Sequence, residues 1–306
     1  MLFKNNRSDI LLLIVAAIWG MAFVAQRAGM DHIGPFTFNG ARFLLGAVSL
    51  ALMAPALRFF SRKALPQSQT SQSATDSSPV KGGIIIGCVL FVAATLQQTG
   101  LLYTSVGNAG FITSLYIILV PIIGLLFKQK TSSATWVGAI LALIGLSLLS
   151  IKGNLTISYG DFLQLLGAVF WALHILTIGR YAPRADPIKL SIIQFSICGV
   201  LSLIISLVIE TVDRHALYLA LPALLYTGIL STAVAYTLQV VAQRKVPASH
   251  ATIIFSLEAV FALLGGWLLL QETMSIRGLT GCALMFLGVI ISQQRSLKKT
   301  HSTDKA

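Results

Sequence analysis

Residues 9–29 read DILLLIVAAIWGMAFVAQRAG, an almost unbroken apolar run with a tryptophan near its centre. The hydrocarbon core of a bilayer is about 30 Å thick, and a helix needs roughly twenty apolar residues to cross it. The run follows Lys4 and Arg7, as a signal peptide would, but it is longer than one and has no A-x-A-like cleavage site. It therefore predicts a transmembrane helix that is retained.

Nine further apolar runs of similar length follow the first one along the chain. They cover residues 35–55, 82–103, 109–128, 134–151, 161–181, 187–209, 217–242, 247–270 and 275–293. Residues 58–81 include the run QSQTSQSATDSS, which is polar and of low complexity and cannot build a core. We predict an all-α integral membrane protein in which residues 58–81 form a disordered cytosolic loop and residues 294–306 form a cytosolic tail.

The overall composition agrees with a membrane protein. Of the 306 residues, 56% are hydrophobic and 10% are charged, whereas soluble domains have about 25% charged residues. The formal net charge of +12 could indicate a nucleic-acid partner. However, the basic residues lie in short segments between the apolar runs and form no basic face, so we expect no nucleic-acid binding.

The distribution of Lys and Arg predicts the orientation of the chain. With the N-terminus in the cytosol, seventeen of the 22 Lys and Arg residues lie in cytosolic segments, four lie in outer segments, and Arg42 lies within the second run. Positively charged loops stay on the cytosolic side of a membrane. We therefore predict ten transmembrane helices with both termini in the cytosol.

A repeated motif divides the chain into two halves. IWGMAF around Trp19 recurs as VFWALHI around Trp171, and each motif begins a set of five apolar runs. An odd number of spans per repeat gives the two copies opposite orientations, which is the plan of many secondary transporters. We predict two inverted five-helix repeats, residues 9–151 and 161–293, with a substrate site near the midplane between them.

One carboxylate lies deep in the predicted membrane. Glu258 is eleven residues past Pro247, which corresponds to about 16 Å along a continuous helix. An ionisable group in the bilayer costs about 2.5–3.5 kcal/mol on insertion scales, so its presence needs a reason. Glu258 either binds a substrate amine, titrates as a proton carrier, or ties two helices together as a hydrogen-bonded carboxyl. The sequence leaves these roles open.

Aromatic and polar side chains share one helix face in each half. Trp19, Phe23 and Gln26 are spaced i, i+4, i+7, while Trp171 and His174 are spaced i, i+3. An indole next to an amide or imidazole offers stacking surface and hydrogen bonds to an amino acid or another small polar molecule. These faces either line one cavity or only pack against neighbouring helices, and a lone histidine is more often a packing residue.

Four more polar side chains at membrane depth are candidates for the same cavity. They are Gln97 and Gln98 in the third run, Tyr116 in the fourth and Tyr236 in the eighth. Pro121 should kink the fourth helix, because proline removes a backbone hydrogen bond. Arg42 lies seven residues past Pro35, close enough to the outer surface that we expect its side chain to snorkel there. The alternative is that Arg42 contacts an anionic group.

Missing motifs argue against an enzyme. The chain has no GxGxxG, P-loop, HExxH or GxSxG motif and no aspartate pair inside the apolar runs. Its three cysteines lie in apolar runs without CxxC spacing. We expect no catalytic activity, no cofactor and no metal site. Active transport would then depend on a gradient or on exchange, unless another subunit supplies the energy.

Several longer motifs together resemble the EamA-type family of the drug/metabolite transporter superfamily. They are IWGMAF at Trp19, FNGARFLLGA at Arg42, TLQQTGLLYTSVGNAGFITSLYIILVP from Thr95 to Pro121, FWALHILTIGR from Phe170 to Arg180, and VPASHATIIFSLEAVFALLGGWLLLQE from Val246 to Glu272. The resemblance covers nearly the whole chain. It implies ten helices in two inverted repeats and the transport, commonly the export, of amino acids or related metabolites. Where the family often has Leu-Glu-Pro, this chain has Ala259 after Glu258, so the proline kink does not carry over.

The sequence therefore predicts a secondary transporter of small polar metabolites in a bacterial inner membrane, working by alternating access. A non-transporting scaffold or receptor and a channel are the alternatives. A scaffold would not need polar side chains at corresponding depths in both halves, and a channel would conduct without saturation. The sequence leaves open the substrate, the direction of flux, the use of protons as coupling ion, and the formation of a homodimer.

Overall fold

The computed structural model describes residues 6–64, 79–129, 131–150, 158–262, 264 and 276–293. Over these residues the chain forms helices and turns and no strand, which confirms the all-α prediction for this part of the chain. The predicted tail and residues 65–78 of the predicted loop lie outside the described residues.

The described part of the first half forms helices on either side of the predicted loop. These are α1 (Asn6–Met30), α2 (Pro35–Ala64), α3 (Pro79–Gly100), α4 (Val106–Thr113), α5 (Tyr116–Leu126) and α6 (Ser133–Ser150).

The described part of the second half begins at a capping box, in which Ser158 and Asp161 bond each other's backbone N–H groups. Its helices are α7 (Tyr159–Tyr181), a 3₁₀ turn (Ala182–Arg184), α8 (Pro187–Ile209), α9 (Arg214–Leu219), α10 (Leu221–Leu225), a π-helical segment (Tyr226–Tyr236), α11 (Thr237–Gln243), α12 (Ala248–Phe255) and α13 (Ile276–Gln293). The helix that contains Glu258 is described only at residues 258–262 and 264.

Seven segments of the described chain are long and apolar enough to cross a membrane. They are Arg7–Met30, Pro35–Ala56, Pro79–Gly100, Val106–Leu126, Tyr159–Arg184, Pro187–Ile209 and Leu221–Gln243. Shorter apolar helices cover Ser133–Leu148, Ala248–Ala262 and Ile276–Ser292, where the sequence predicts the remaining spans. The fold is therefore that of a multi-pass membrane protein, and the full count of spans remains a prediction.

The second helix is longer than the sequence analysis predicts. α2 continues past Pro55 to Ala64, so the prediction of a disordered loop is wrong for residues 58–64. It is also wrong for residues 79–81, which begin α3. Residues 56–64 read ALRFFSRKA, and Ala, Leu, Arg and Lys are favourable in helices. The apolar run ends before this segment, but the residues of the segment still favour a helix.

The fourth predicted helix is interrupted before its proline. A turn at Ser114 and Leu115 separates α4 from α5, and the N–H of Leu115 bonds the carbonyl of Ile112 in a 3₁₀ pattern. Pro121 itself lies inside α5. The predicted disruption is thus present in this helix, but it lies about two turns ahead of the residue on which the prediction rested.

The ninth predicted helix is also interrupted, although it has no proline at the break. α12 ends at Phe255, Ser256 and Leu257 form a turn, and helix resumes at residue 258. Glu258 therefore begins a new helical segment and does not lie along a continuous helix from Pro247. The missing family proline at Ala259 does not prevent the break.

The two halves pack against each other in matching pairs. α2 packs on α8, and α6 packs on α13. α3 packs on α7 and α8, and in the corresponding way the helix from Leu221 to Gln243 packs on α1 and α2. If each of these helices is replaced by its counterpart in the other half, the same contact pairs are found again.

The α6–α13 pair is held by contacts between glycine backbones. A Cβ placed on Gly138 would lie 2.5 Å from the carbonyl oxygen of Gly288, and one on Gly145 would lie 2.5 Å from that of Gly281. Only residues without a side chain allow two helices to approach this closely. This pair is structural, since neither helix contributes a residue to the cavity described next.

Candidate functional site: a polar cavity between the halves

A cavity lies where the two halves meet. Eight of the ten predicted site residues line it: Trp19, Phe23, Gln26, Gln97, Tyr116, Trp171, Tyr236 and Glu258. The other lining residues are Ala22, Arg42, Thr113, Ile175, Ser231 and Gln239. Residues that are far apart in the sequence are thus brought together, and their part in substrate binding remains a prediction.

Two predicted site residues, His174 and Gln98, do not line the cavity. Both are fully buried. The Nε2 atom of His174 lies 3.0 Å from Oε1 of Gln194, and its ring packs edge-on against Trp171 and Tyr236. His174 therefore lies behind the cavity wall. A spacing of i, i+3 places it near Trp171 but not on the same side of the wall.

Tyr236 lies at the centre of the aromatic wall. Its ring centroid is 4.8 Å from that of Trp19 and 6.2 Å from that of Trp171, nearly parallel to the latter at 21°. The indole N–H of Trp19 donates to the backbone oxygen of Ser231 at 3.3 Å. The indole nitrogen of Trp171 is buried without a partner among the described residues. The two tryptophans thus share one wall, but only Trp171 has a donor without a protein acceptor.

The two interrupted helices meet at Glu258. The hydroxyl of Tyr116 donates to Oε1 of Glu258 at 2.8 Å, and the hydroxyl of Ser114 donates to the same oxygen at 3.1 Å. Glu258 is 3% exposed, and no cationic side chain of the described chain forms an ion pair with it. Each break therefore places polar groups at the same point of the cavity, one set from each half.

Arg42 lines the cavity, so the prediction that it snorkels to the outer surface is wrong. The side chain is 2% exposed. Its Nε donates to Oδ1 of Asn39 at 3.0 Å, and its guanidinium carbon lies 4.7 Å from the ring centroid of Phe43 and 5.8 Å from that of Phe38. Cations are attracted to aromatic faces at such distances. The contacts hold the side chain toward the protein interior instead of the lipid.

Several polar atoms of the lining residues have no hydrogen-bond partner among the described residues. They are Nη2 of Arg42, Oε1 of Gln26, Nε1 of Trp171, and both polar atoms of Gln239. About nine in ten buried polar groups in proteins, or more, are hydrogen-bonded, so each exception needs an explanation. Other unpartnered atoms lie outside the cavity, as in Gln98. Those named first belong to residues that line one cavity.

The sequence analysis did not select four polar residues that line the cavity. They are Arg42, Thr113, Ser231 and Gln239. Two signals in the sequence could have found some of them. Gln239 follows Tyr236 at i+3, on the same helix face. Thr113 directly precedes the Ser-Leu pair that recurs at Ser256 and Leu257.

Several membrane-crossing helices with a polar cavity between two halves are an architecture typical of membrane transporters. The sequence profile described as the EamA-like transporter family matches residues 6–151 and residues 158–293. The chain therefore belongs to the EamA-like transporter family, and the resemblance found in the sequence is confirmed.

Relatives from several organisms have similar names. The chain is 32% identical over 293 residues to an uncharacterized transporter of Archaeoglobus fulgidus, covering 95% of this chain and 87% of the relative. It is 25% identical over 288 residues to the uncharacterized transporter YoaV of Bacillus subtilis, covering 92% and 94%. It is 23% identical over 307 residues to a probable amino-acid metabolite efflux pump of Salmonella typhimurium, covering 94% and 95%.

A solved structure has the same fold. It is titled only as the crystal structure of a protein, superposes with a TM-score of 0.74 at 16% identity, and covers 95% of this chain and 97% of the solved one. The family match and the names of the relatives indicate a membrane transporter rather than an enzyme.

Proposed function

We propose that this protein is a secondary transporter that exports amino acids or related small polar metabolites by alternating access. In this proposal ten helices form two inverted repeats, residues 9–151 and 161–293, in a bacterial inner membrane with both termini in the cytosol. The observation that carries the proposal is the set of unpartnered polar atoms around one cavity built by both halves. A small polar molecule would supply the missing hydrogen bonds.

The arrangement of the halves supports alternating access. Discontinuous helices that meet near a substrate site recur in inverted-repeat transporters. Here the helix breaks before Tyr116 and Glu258 meet at a hydrogen bond across the cavity. The matching packing of the halves also fits two bodies that rock about a shared site. The two segments matched by the family profile divide the chain where the proposed repeats meet.

Amino acids are the proposed substrate class for two reasons. One relative is named a probable amino-acid metabolite efflux pump. The cavity combines aromatic surface from Trp19, Trp171 and Tyr236 with a carboxylate at Glu258. A carboxylate can bind an ammonium group, and an aromatic wall can pack against an aliphatic or aromatic side chain.

Two roles for Glu258 fit its position, and one variant separates them. A proton-coupling carboxyl would make transport respond to an imposed pH gradient, whereas an ammonium partner would mainly set affinity. Gln has the shape of Glu and still accepts the hydrogen bonds of Ser114 and Tyr116, but it does not titrate. Loss of pH-driven accumulation with normal exchange in Glu258→Gln would assign the coupling role, and loss of affinity would assign the binding role.

The function is tested by comparing metabolites in cells and medium when the gene is deleted and when it is overexpressed. An exporter of amino acids should raise at least one of them in the medium on overexpression and in the cells on deletion. A scaffold or receptor would leave both pools unchanged, which would contradict the proposal. The proposed orientation is tested by tags at both termini, which protease should remove in inside-out vesicles.

A further inference from the structure

We infer that Arg42 is the anion-binding residue of the cavity and binds the carboxylate of a transported amino acid. The inference rests on the proposed function and adds to it the group that recognises the acid end of the substrate. The sequence analysis expects Arg42 at the membrane surface and gives contact with an anion only as the alternative, so the assignment depends on its surroundings in the structure.

The guanidinium of Arg42 is buried but its charge is not balanced. It is 2% exposed, and no carboxylate of the described chain lies within ion-pair distance of it. Among the described residues, its hydrogen bond is to the neutral amide of Asn39. A guanidinium has five N–H donors and does not lose its proton in proteins. Its charge therefore persists in the cavity, with Nη2 unpartnered.

A structural role does not account for this environment. Buried arginines that stabilise a fold are paired with carboxylates and bonded through most of their donors, because desolvating an unpaired charge is unfavourable. Asn39 and the rings of Phe43 and Phe38 fix the position of the guanidinium and soften this cost. They leave the planar fork that binds carboxylates free on the side of Nη2.

The second charged residue of the cavity limits the kind of anion. Glu258 lines the same cavity, together with Tyr236. A dianion such as phosphate would be repelled by the Glu258 carboxylate and would find one cation only. A zwitterion satisfies both residues, with its carboxylate on Arg42 and its ammonium on Glu258. The charge pattern thus favours an α-amino acid over a phosphate ester.

The test uses the purified full chain and measures retained ligands by mass spectrometry. The probes are an equimolar mixture of the common L-amino acids and, separately, the same mixture as α-carboxamides, which lack the negative charge. The variants are Arg42→Gln and, as a matched control, Arg27→Gln. Arg27 donates to the backbone oxygen of Leu101 and does not line the cavity, so the control removes the same charge elsewhere.

The wild-type chain and Arg27→Gln should retain at least one amino acid about tenfold or more above its amide, since charge-assisted bonds to Arg are strong. Arg42→Gln should lose this preference by lowering retention of the acid while retention of the amide stays the same. Without ligand, Arg42→Gln should unfold at the wild-type temperature or above it, because the variant removes an unpaired buried charge.

An unchanged preference for the acid in Arg42→Gln would overturn the assignment, as would a large drop in its unfolding temperature without ligand. Retention of neither mixture by the wild-type chain would also overturn it. After that last result, the transport function would still be tested by the comparison of metabolites in cells and medium, which requires no assumption about Arg42. Failure of the two ideas is therefore distinguishable.

Discussion

Arg42 in α2 and Gln194 in α8 occupy matching positions of the two halves. Each lies seven residues after the proline that begins its helix and directly before a phenylalanine. The two phenylalanines, Phe43 and Phe195, lie 6.4 Å apart between ring centroids, so the matching positions lie near each other in the interior. The same distance from the helix-starting proline holds a cation in the first half and a neutral amide in the second.

The two positions differ in what surrounds them. Gln194 is fully buried behind the wall, where its oxygen lies 3.0 Å from Nε2 of His174. Arg42 lines the cavity, and within the described part of the chain it is bonded to Asn39 alone. Both residues retain an unpartnered nitrogen, but an unpaired charge is far more costly to bury than an unpaired amide. The comparison teaches that the two halves share a helix arrangement at these positions, while only the first half places a cation there.

The largest effect on ligand retention should come from removing the negative charge of Glu258. Glu258→Gln keeps the acceptor for Tyr116 and Ser114 and so should fold normally. It should lower retention of amino acids by about 10- to 100-fold, the range expected for a lost charged hydrogen bond, while retention of the corresponding des-amino acids stays the same. Ligand retention by mass spectrometry measures both. Equal loss for acids with and without the amine would show that Glu258 does not bind ammonium.

The comparison predicts the opposite behaviour for Gln194. Gln194→Ala should lower the stability of the protein by about 1–3 kcal/mol, because it leaves Nε2 of His174 buried without a partner. It should not change the preference for acids over amides, in contrast to Arg42→Gln. Thermal unfolding in detergent measures the loss of stability, and ligand retention measures the preference for acids over amides. A changed ligand preference at normal stability would mean that the second-half position also contacts substrate.

A smaller effect should separate the two tryptophans of the wall. Trp171→Phe removes an indole N–H that has no acceptor in the described part of the protein, so it should weaken ligand retention several-fold and leave unfolding unchanged. Trp19→Phe removes the bond to the Ser231 backbone and should instead lower stability by about 1 kcal/mol. The same two assays distinguish them. Equal effects of the two variants on ligand retention and on unfolding would contradict this distinction between Trp19 and Trp171.

The smallest effect should follow deletion of residues 68–78. In the second half, the corresponding helices α8 and α9 are joined by residues 210–213 alone, so the fold does not need a long connection at this point. The deletion should change neither membrane insertion nor transport, as expected for a polar, low-complexity segment. Membrane fractionation and transport assays test it. Loss of insertion would show that the segment contributes to the first half of the fold.

The sequence predicts the helices well because apolar length is a direct signal of membrane-crossing segments. It predicts most of the cavity because Trp19, Trp171 and Glu258 are unusual at membrane depth. It does not predict where helices break, since the Ser114 and Ser256 turns contain no proline. It also misplaces Arg42, because the choice between lipid, packing and cavity depends on how a helix is rotated against its neighbours, and spacing along one helix does not contain that information.

The central claim is that substrate crosses by alternating access through the cavity between the halves. Counterflow in proteoliposomes tests it most directly: vesicles are loaded with unlabelled amino acids, and a trace of the labelled mixture is added outside. The account predicts transient accumulation of label above equilibrium and saturation with rising concentration, both abolished when the mixture is replaced by α-carboxamides. Uptake that rises linearly with concentration and never exceeds equilibrium, as in a channel, would contradict it.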